Sequence, residues 1–154
     1  MAHTAVLKED DMAIVQTFVV AAIFMATTPP APPHTVAHTL MFRTTLTAFI
    51  ASAQSPLRDE RLDWSTDGCS VPVIGNTGRT FDFTQACQRH DFGYRNFKSL
   101  HGGKWWTPYL RHRIDQVFQS DMYKNCAARS RTTRSMCRAW AKTFYRAVRT
   151  YAGP

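Results

Sequence analysis

The chain has 154 residues, of which 44% are hydrophobic, and its formal net charge is +8. This length supports one domain with a small core, and the apolar content excludes a disordered chain. The positive charge is concentrated in residues 54–154, which hold 17 Lys and Arg against 8 Asp and Glu. Such a chain favours anionic partners, and charge alone does not separate nucleic acid from an anionic lipid surface.

The N-terminal part combines an apolar run with a proline-rich stretch. Residues 12–26 have the length of the apolar part of an export signal and are too short to span a membrane. The preceding K-E-D-D at 8–11 is acidic where a signal carries basic residues, a conflict that a start at Met12 would remove. We interpret residues 1–34 as an export signal or pro-segment with a proline-rich linker, and a buried core helix is the alternative. Residues 35–154 would form the folded domain.

Farther along the chain, apolar residues recur with the 3.6-residue period of helices that bury one face. The second predicted helix has Asp82 as its N-cap, and Gly93 in its interior lets another backbone approach closely. No segment alternates for long enough to predict a strand, so we expect a nearly all-α fold. The predicted helices cover residues 39–53, 83–98, 109–126 and 133–151.

Chemically active side chains lie near the centre of the second predicted helix. His90 and Tyr94 are four residues apart and share a helical face, whereas Asp91 projects about 100° away from His90. One residue can therefore handle protons while its neighbour binds a cation. This grouping indicates a hydrolytic site built around a hard metal ion. The remaining histidines lack such company and are assigned no role: His3, His34, His38, His101 and His112.

Three motifs in order carry a family resemblance. The sequence D-W-S-T-D-G-C occupies 63–69, C-Q-R-H-D-F-G-Y-R-N occupies 87–96, and R-I-D occupies 113–115. Together they resemble the secreted phospholipase A2 family in its bacterial and fungal branch, over residues 62–139. The resemblance implies a calcium-dependent enzyme that hydrolyses the sn-2 ester of glycerophospholipids. It also implies a small helical domain in which two long antiparallel helices bring His90 opposite Asp115.

The resemblance also implies a role for each site residue. His90 and Asp115 would be the catalytic dyad that activates water, and Tyr94 would support Asp115 through its hydroxyl. The calcium ligands would be the carboxylates of Asp67 and Asp91 and the carbonyl oxygen of Gly68, with water completing the shell.

Four cysteines allow three pairings, and all four lie between residues 69 and 137. The resemblance implies bridges between Cys69 and Cys87 and between Cys126 and Cys137. Disulfides persist in oxidising compartments, so this pairing predicts a secreted protein. The alternative is four buried free thiols in a cytosolic protein. No C-x-x-C spacing is present, which argues against a structural zinc site.

The expected partner is a phospholipid membrane surface or micelle, with an anionic surface favoured by the charge. We expect a monomer without a nucleic-acid partner. Trp105, Trp106 and Tyr109 would either insert at a lipid surface or pack against a neighbouring helix. The basic residues of the last helix would form either a solvated face or a lipid-docking stripe; they are Arg138, Lys142, Arg146 and Arg149. The alternative function is a catalytically weak membrane-binding or signalling module on the same scaffold.

Overall fold

The computed structural model describes residues 29–68, 77–78 and 81–152. Residues 1–28, where most of the predicted export segment lies, are outside the described residues, and the division at residue 34 stays a prediction. None of the helices in the described part of the chain combines the length and apolar character needed to cross a membrane.

The described chain is mostly helical, as predicted. The helices are α1 (Pro33–Phe42), α2 (Leu46–Gln54), α3 (Thr84–Ser99), α4 (Pro108–Ala127) and α5 (Arg131–Tyr151), with a 3₁₀ turn at Leu100–Gly103. Two short strands, β1 (Thr77–Gly78) and β2 (Phe81–Asp82), pair antiparallel just before α3. Strands of two residues are too short to produce an alternating pattern, and the described residues agree with the nearly all-α prediction.

The single helix predicted over 39–53 is wrong, because the chain forms two helices there. The Thr44 hydroxyl donates to the Leu40 carbonyl at 2.7 Å, just after α1 ends. Thr45 is the N-cap of α2, and its side chain accepts a hydrogen bond from the Ala48 amide at 3.1 Å. Threonine side chains that form hydrogen bonds with the nearby backbone compete with a continuous helix. The helix therefore breaks here, although the apolar period continues through the break.

The beginning of α3 also differs from the prediction. Asp82 lies one residue before the N-cap position, which is occupied by Phe83 without a side-chain capping bond. The Asp82 carboxylate nevertheless accepts a hydrogen bond from the Thr84 amide at 2.8 Å. The helix ends near the predicted place, where His101 adopts a left-handed conformation with φ of 54°.

α3 and α4 carry the polar residues of the site and contact both parts of the core. One cluster packs the beginning of α3 against α4 and α5 and includes Phe118 and Phe144. The other packs α1 and α2 against α3 and includes Phe49 and Phe92. These large side chains are all at most 2% exposed, so α3 is fixed from both sides.

The contacts between α3 and α4 run in opposite order along the two helices. Arg89 donates to the Asp121 carboxylate through Nε at 2.8 Å and through Nη2 at 2.5 Å. Farther along α3, the Tyr94 hydroxyl accepts from Arg111 in the first turn of α4. The Arg89 guanidinium also donates to the Thr44 carbonyl at 2.9 Å, which links this buried ion pair to the break between α1 and α2.

Gly93 lies where α3 meets α1 and α4. A Cβ atom at this position would lie 2.9 Å from Met41 Sδ and 3.0 Å from Ile114 Cγ2. The prediction that Gly93 admits a neighbouring backbone is therefore wrong, because side chains of α1 and α4 occupy the space. Glycine here brings α3 into close contact with both helices.

The Cys126–Cys137 disulfide is present and joins the end of α4 to α5. This prediction is confirmed. Cys87 on α3 is also disulfide-bonded. The predicted bridge to Cys69 concerns a residue outside the described part of the chain.

Candidate active site

Two facing helices bring the predicted dyad into contact. His90 Nε2 on α3 lies 2.8 Å from Asp115 Oδ1 on α4, although 25 residues separate them in sequence. Asp115 is fully buried and His90 is 6% exposed. The predicted contact is therefore present, and it is shielded from bulk water.

The protonation state of Asp115 determines which nitrogen of His90 carries the proton. Burial raises the pKa of Asp115, but hydrogen bonds from His90 and Arg149 outweigh it and hold the pKa below its ordinary value. Asp115 is therefore ionised at neutral pH and can only accept hydrogen bonds. Nε2 of a neutral His90 must then carry the proton, which leaves the Nδ1 lone pair able to accept a proton.

Tyr94 contacts the same carboxylate oxygen. Its hydroxyl donates to Asp115 Oδ1 at 2.8 Å and accepts from Arg111 Nε at 3.1 Å. A guanidinium has no acceptor, so the Tyr94 proton must point toward Asp115. Burial raises the pKa of Tyr94 well above its ordinary value, which keeps this hydroxyl protonated.

Two arginines at this site were missed by the sequence analysis. The sequence pattern gives no reason to select Arg111, and it groups Arg149 with the other basic residues of a surface stripe. Arg149 Nη1 donates to Asp115 Oδ2 at 2.7 Å, so the stripe interpretation is wrong for this residue. The other three members of the stripe are exposed. One signal for Arg149 was available: a buried Asp115 carboxylate needs more hydrogen-bond donors than His90 and Tyr94 supply.

Aromatic rings surround the imidazole. The His90 ring centroid lies 4.3 Å from that of Tyr94 and 4.7 Å from that of Phe118. Trp106 packs edge-on against Tyr94 at 4.9 Å, whereas Trp105 is 45% and Tyr109 70% exposed. The three aromatic residues considered for lipid contact therefore differ: Trp106 supports the site, and the other two face solvent.

The Asp91 carboxylate organises the loop that precedes the β-strands. Asp91 Oδ2 accepts hydrogen bonds from the Thr66 hydroxyl at 2.5 Å, the Asp67 amide at 3.2 Å and the Gly68 amide at 3.1 Å. Gly68 has a φ of 72°, a left-handed conformation that favours glycine. The loop is thus turned so that Thr66, Asp67 and Gly68 lie against the helix that carries His90.

Asn96 fixes the other end of this loop to α3. Its side chain accepts from the Asp63 amide at 2.9 Å and donates to the Asp63 carbonyl at 2.8 Å. Trp64 packs on Phe92 with ring centroids 4.8 Å apart. The D-W at 63–64 and the N at 96 of the sequence motifs therefore join the loop to the helix.

The donor chemistry at this junction fits calcium. Two carboxylates, Asp67 and Asp91, lie close enough to affect each other, and hard oxygen ligands are those that calcium prefers. Burial raises the pKa of Asp91, and the nearby charge of Asp67 raises it further, although the Thr66 hydroxyl acts in the opposite direction. A divalent cation would relieve this unfavourable negative charge.

In the described part of the chain, acidic, histidine and cysteine side chains do not form a metal site by themselves. Within residues 29–68, 77–78 and 81–152, no group of three His, Cys, Asp or Glu side chains is placed to hold a metal ion. Asp67 Oδ1 accepts a hydrogen bond from Arg95 at 3.0 Å. The sequence prediction for this site uses two carboxylates and a backbone carbonyl, and that ligand set stays a prediction.

Comparison with known proteins agrees with the motifs. The family described as prokaryotic phospholipase A2 matches residues 37–152. A secretory phospholipase A2 of Arthroderma benhamiae is 35% identical over 113 residues, which cover 71% of this chain and 72% of the relative. Another secretory phospholipase A2, of Beauveria bassiana, is 35% identical over 125 residues. The match covers 81% of this chain and 62% of that relative's length. The resemblance in the three motifs is therefore confirmed, and the chain belongs to the prokaryotic phospholipase A2 family.

Proposed function

We propose that the chain is a secreted, calcium-dependent phospholipase A2 that hydrolyses the sn-2 ester of glycerophospholipids to a lysophospholipid and a fatty acid. The observation that carries this proposal is the buried contact of 2.8 Å between His90 Nε2 and Asp115 Oδ1. The opposite order of contacts along α3 and α4 supports the antiparallel arrangement that the family resemblance implies.

His90 is the proposed general base. Its Nδ1 takes a proton from a water molecule as the water oxygen attacks the ester carbonyl carbon. Asp115 stabilises the imidazolium that forms, and Tyr94 fixes the direction of the carboxylate. When the tetrahedral intermediate collapses, the ester carbon–oxygen bond breaks and His90 returns the proton to the sn-2 oxygen of the lysophospholipid. Water is the nucleophile, so no acyl-enzyme is expected.

Calcium would be held by the carboxylates of Asp67 and Asp91 and by the carbonyl oxygen of Gly68. The bound ion supplies positive charge for the substrate phosphate and for the ester carbonyl oxygen. The support for this assignment is the meeting of two carboxylates at the junction between the loop and α3, next to His90. Calcium titration by calorimetry tests it directly: Asp91→Lys and Asp67→Ala should weaken binding strongly, whereas Asp82→Asn should not. Unchanged binding in the first two variants would contradict the ligand set.

Secretion and the action at a lipid surface have separate support. Both relatives are named secretory, and the Cys126–Cys137 disulfide suits an oxidising compartment. Exposed basic residues on α5 suit an anionic phospholipid surface or micelle. We keep the monomeric state, the absence of a nucleic-acid partner and the export role of residues 1–34 as parts of this proposal.

Fatty-acid release from phospholipid vesicles tests the proposed activity. The wild-type chain should release fatty acid in calcium and lose that activity in EGTA. His90→Gln should abolish release with unchanged helical circular dichroism, and the exposed control Lys124→Ala on α4 should stay active. Turnover by His90→Gln at the wild-type rate would refute the role of the imidazole.

The alternative is a membrane-binding or signalling module with little or no turnover. Its support is the exposed set of basic and aromatic residues, including Lys142 and Trp105. Vesicle binding without fatty-acid release at saturating calcium would favour this alternative. The buried dyad favours the enzyme. Burying the ionised Asp115 carboxylate costs folding free energy, and a protein that only binds membranes has no use for that carboxylate.

A further inference from the structure

Arg149 is placed differently from the other basic residues of α5. Its guanidinium Nη1 lies 2.7 Å from Asp115 Oδ2, and its side chain is 34% exposed. Arg138, Lys142 and Arg146 precede it at three- to four-residue spacing and are exposed on the same helix. The last member of the stripe therefore turns inward and contacts the carboxylate that holds His90.

The end of α5 is fixed at the position that this contact requires. Arg111 Nη2 donates to the carbonyl oxygens of Val148 and Arg149 at 3.1 and 3.0 Å. The same guanidinium donates through Nε to the Tyr94 hydroxyl. Arg111 thus links the backbone at Arg149 to Tyr94, which is itself a hydrogen-bond donor to the Asp115 carboxylate.

The hydrogen bonds of Asp115 define the plane of its carboxylate. Oδ1 accepts from His90 and Tyr94, and Oδ2 accepts from Arg149. A fully buried carboxylate that lost the Oδ2 donor would rotate or admit water, because an unsatisfied buried anion is strongly unfavourable. Either change would move Oδ1 away from the orientation that holds the His90 ring.

We propose that Arg149 is a positioning residue for ester hydrolysis, which holds Asp115 from its second oxygen and so orients His90. This inference rests on the proposed function. Arg149 acts through Asp115 and needs no contact with substrate, so its loss should slow turnover without weakening the binding of lipid or calcium. The end of α5 is then a part of the catalytic machinery.

Steady-state kinetics at saturating calcium test this inference in Arg149→Ala, Arg149→Lys and the control Lys124→Ala. Arg149→Ala should lower kcat by about tenfold or more, with KM and the calcium half-saturation within about twofold of wild type. Arg149→Lys should recover part of the loss, because it keeps a cationic donor. Lys124→Ala should retain the wild-type kcat, since this exposed side chain lies on α4 away from the site and from the basic residues of α5.

Chemical rescue separates positioning from simple stabilisation. Guanidinium ion at millimolar concentration should restore part of the activity of Arg149→Ala and leave wild type and Lys124→Ala unaffected. A melting temperature within a few degrees of wild type would exclude partial unfolding as the cause of the loss. In proton NMR spectra, the downfield Nε2–H resonance of His90 should weaken or disappear in Arg149→Ala and reappear in Arg149→Lys.

Several results would overturn the inference. They are a kcat of Arg149→Ala within twofold of wild type, an equal loss in Lys124→Ala, a rise in KM alone, or the absence of any guanidinium rescue. These outcomes would leave the proposed function intact as long as wild type hydrolyses phospholipid and His90→Gln does not. A wild-type chain without hydrolysis would instead overturn both proposals.

Discussion

Replacing Asp115 by asparagine tests how the dyad is held, because the two carboxylate oxygens have different partners. Oδ1 accepts from His90 and Tyr94, whereas Oδ2 accepts from Arg149. The asparagine oxygen should take the Oδ1 position, where it satisfies two donors, and its NH₂ group should then face Arg149. The Arg149 side chain is partly exposed, so its guanidinium can turn toward water.

The size of the effect follows from that orientation. His90 keeps its tautomer and loses only the negative charge that stabilises its protonated form. A hydrogen bond to a charged group contributes about 1.5–3 kcal/mol, so kcat should fall about 10- to 150-fold. If the NH₂ group faced His90 instead, the tautomer would be wrong, and a loss of about 10⁴-fold would be expected.

Fatty-acid release at saturating calcium measures this loss, and Tyr94→Phe provides the matched control. Without the Tyr94 hydroxyl, His90 is the one donor left at the Oδ1 position and Arg149 is the donor at the Oδ2 position. The asparagine oxygen therefore satisfies one donor in either orientation of the amide. The double variant Tyr94→Phe with Asp115→Asn should therefore lose more activity than the product of the two single losses. A 10⁴-fold loss in Asp115→Asn alone, or a merely multiplicative double variant, would refute the reasoning about Oδ1. A loss of less than twofold would refute the dyad itself.

Three further predictions concern stability. Arg89→Met leaves Asp121 buried without its ion-pair partner and should lower the free energy of unfolding by about 3–5 kcal/mol in urea titrations, and Arg89→Met with Asp121→Leu should recover most of that loss. The double variant Cys126→Ser with Cys137→Ser removes the bridge that closes a short loop, and it should lower the free energy of unfolding by about 3 kcal/mol. A reducing agent should have no further effect at this position, because the variant has no bridge there to reduce. The hydrogen-bonded Asp115 has a lowered pKa, so its stabilising contribution is present above its ordinary pKa of about 3.9 and is lost as pH falls through the folded value. Acid titration followed by circular dichroism should therefore show a steeper loss of stability below about pH 4 in wild type than in Asp115→Asn, and identical slopes would contradict the assignment.

Much of the candidate site could be predicted because its motifs follow local rules. His90 and Tyr94 share a face through helical periodicity, and α3 forms close to its predicted bounds. The contact with Asp115 was predicted through the family resemblance, since helix periodicity alone does not say which helices face each other. The break between α1 and α2 was missed because the apolar period continues through Thr44 and Thr45, whose backbone contacts are decided locally.

The arginines show the limit of the sequence pattern. Four basic residues recur on α5 with the same spacing, and the pattern alone treats them as equivalent. Their environments differ because α5 packs against α4 along its length and only the last turn reaches the buried Asp115. The exposed face of a helix can be predicted from periodicity. Which side chain at the border of that face contacts a buried group depends on the neighbouring helix.

By itself, the sequence determined the family, the mostly helical composition and the identities of His90, Asp91 and Tyr94 as neighbours on one helix. These properties depend on contacts within about one helical turn or on motifs in register. Only the tertiary structure decided that Arg149 donates to Asp115 and that Arg111 donates to the Tyr94 hydroxyl beside it. Arg149 lies 34 residues beyond Asp115, and a buried carboxylate takes whichever donors the packing of the helices brings within reach.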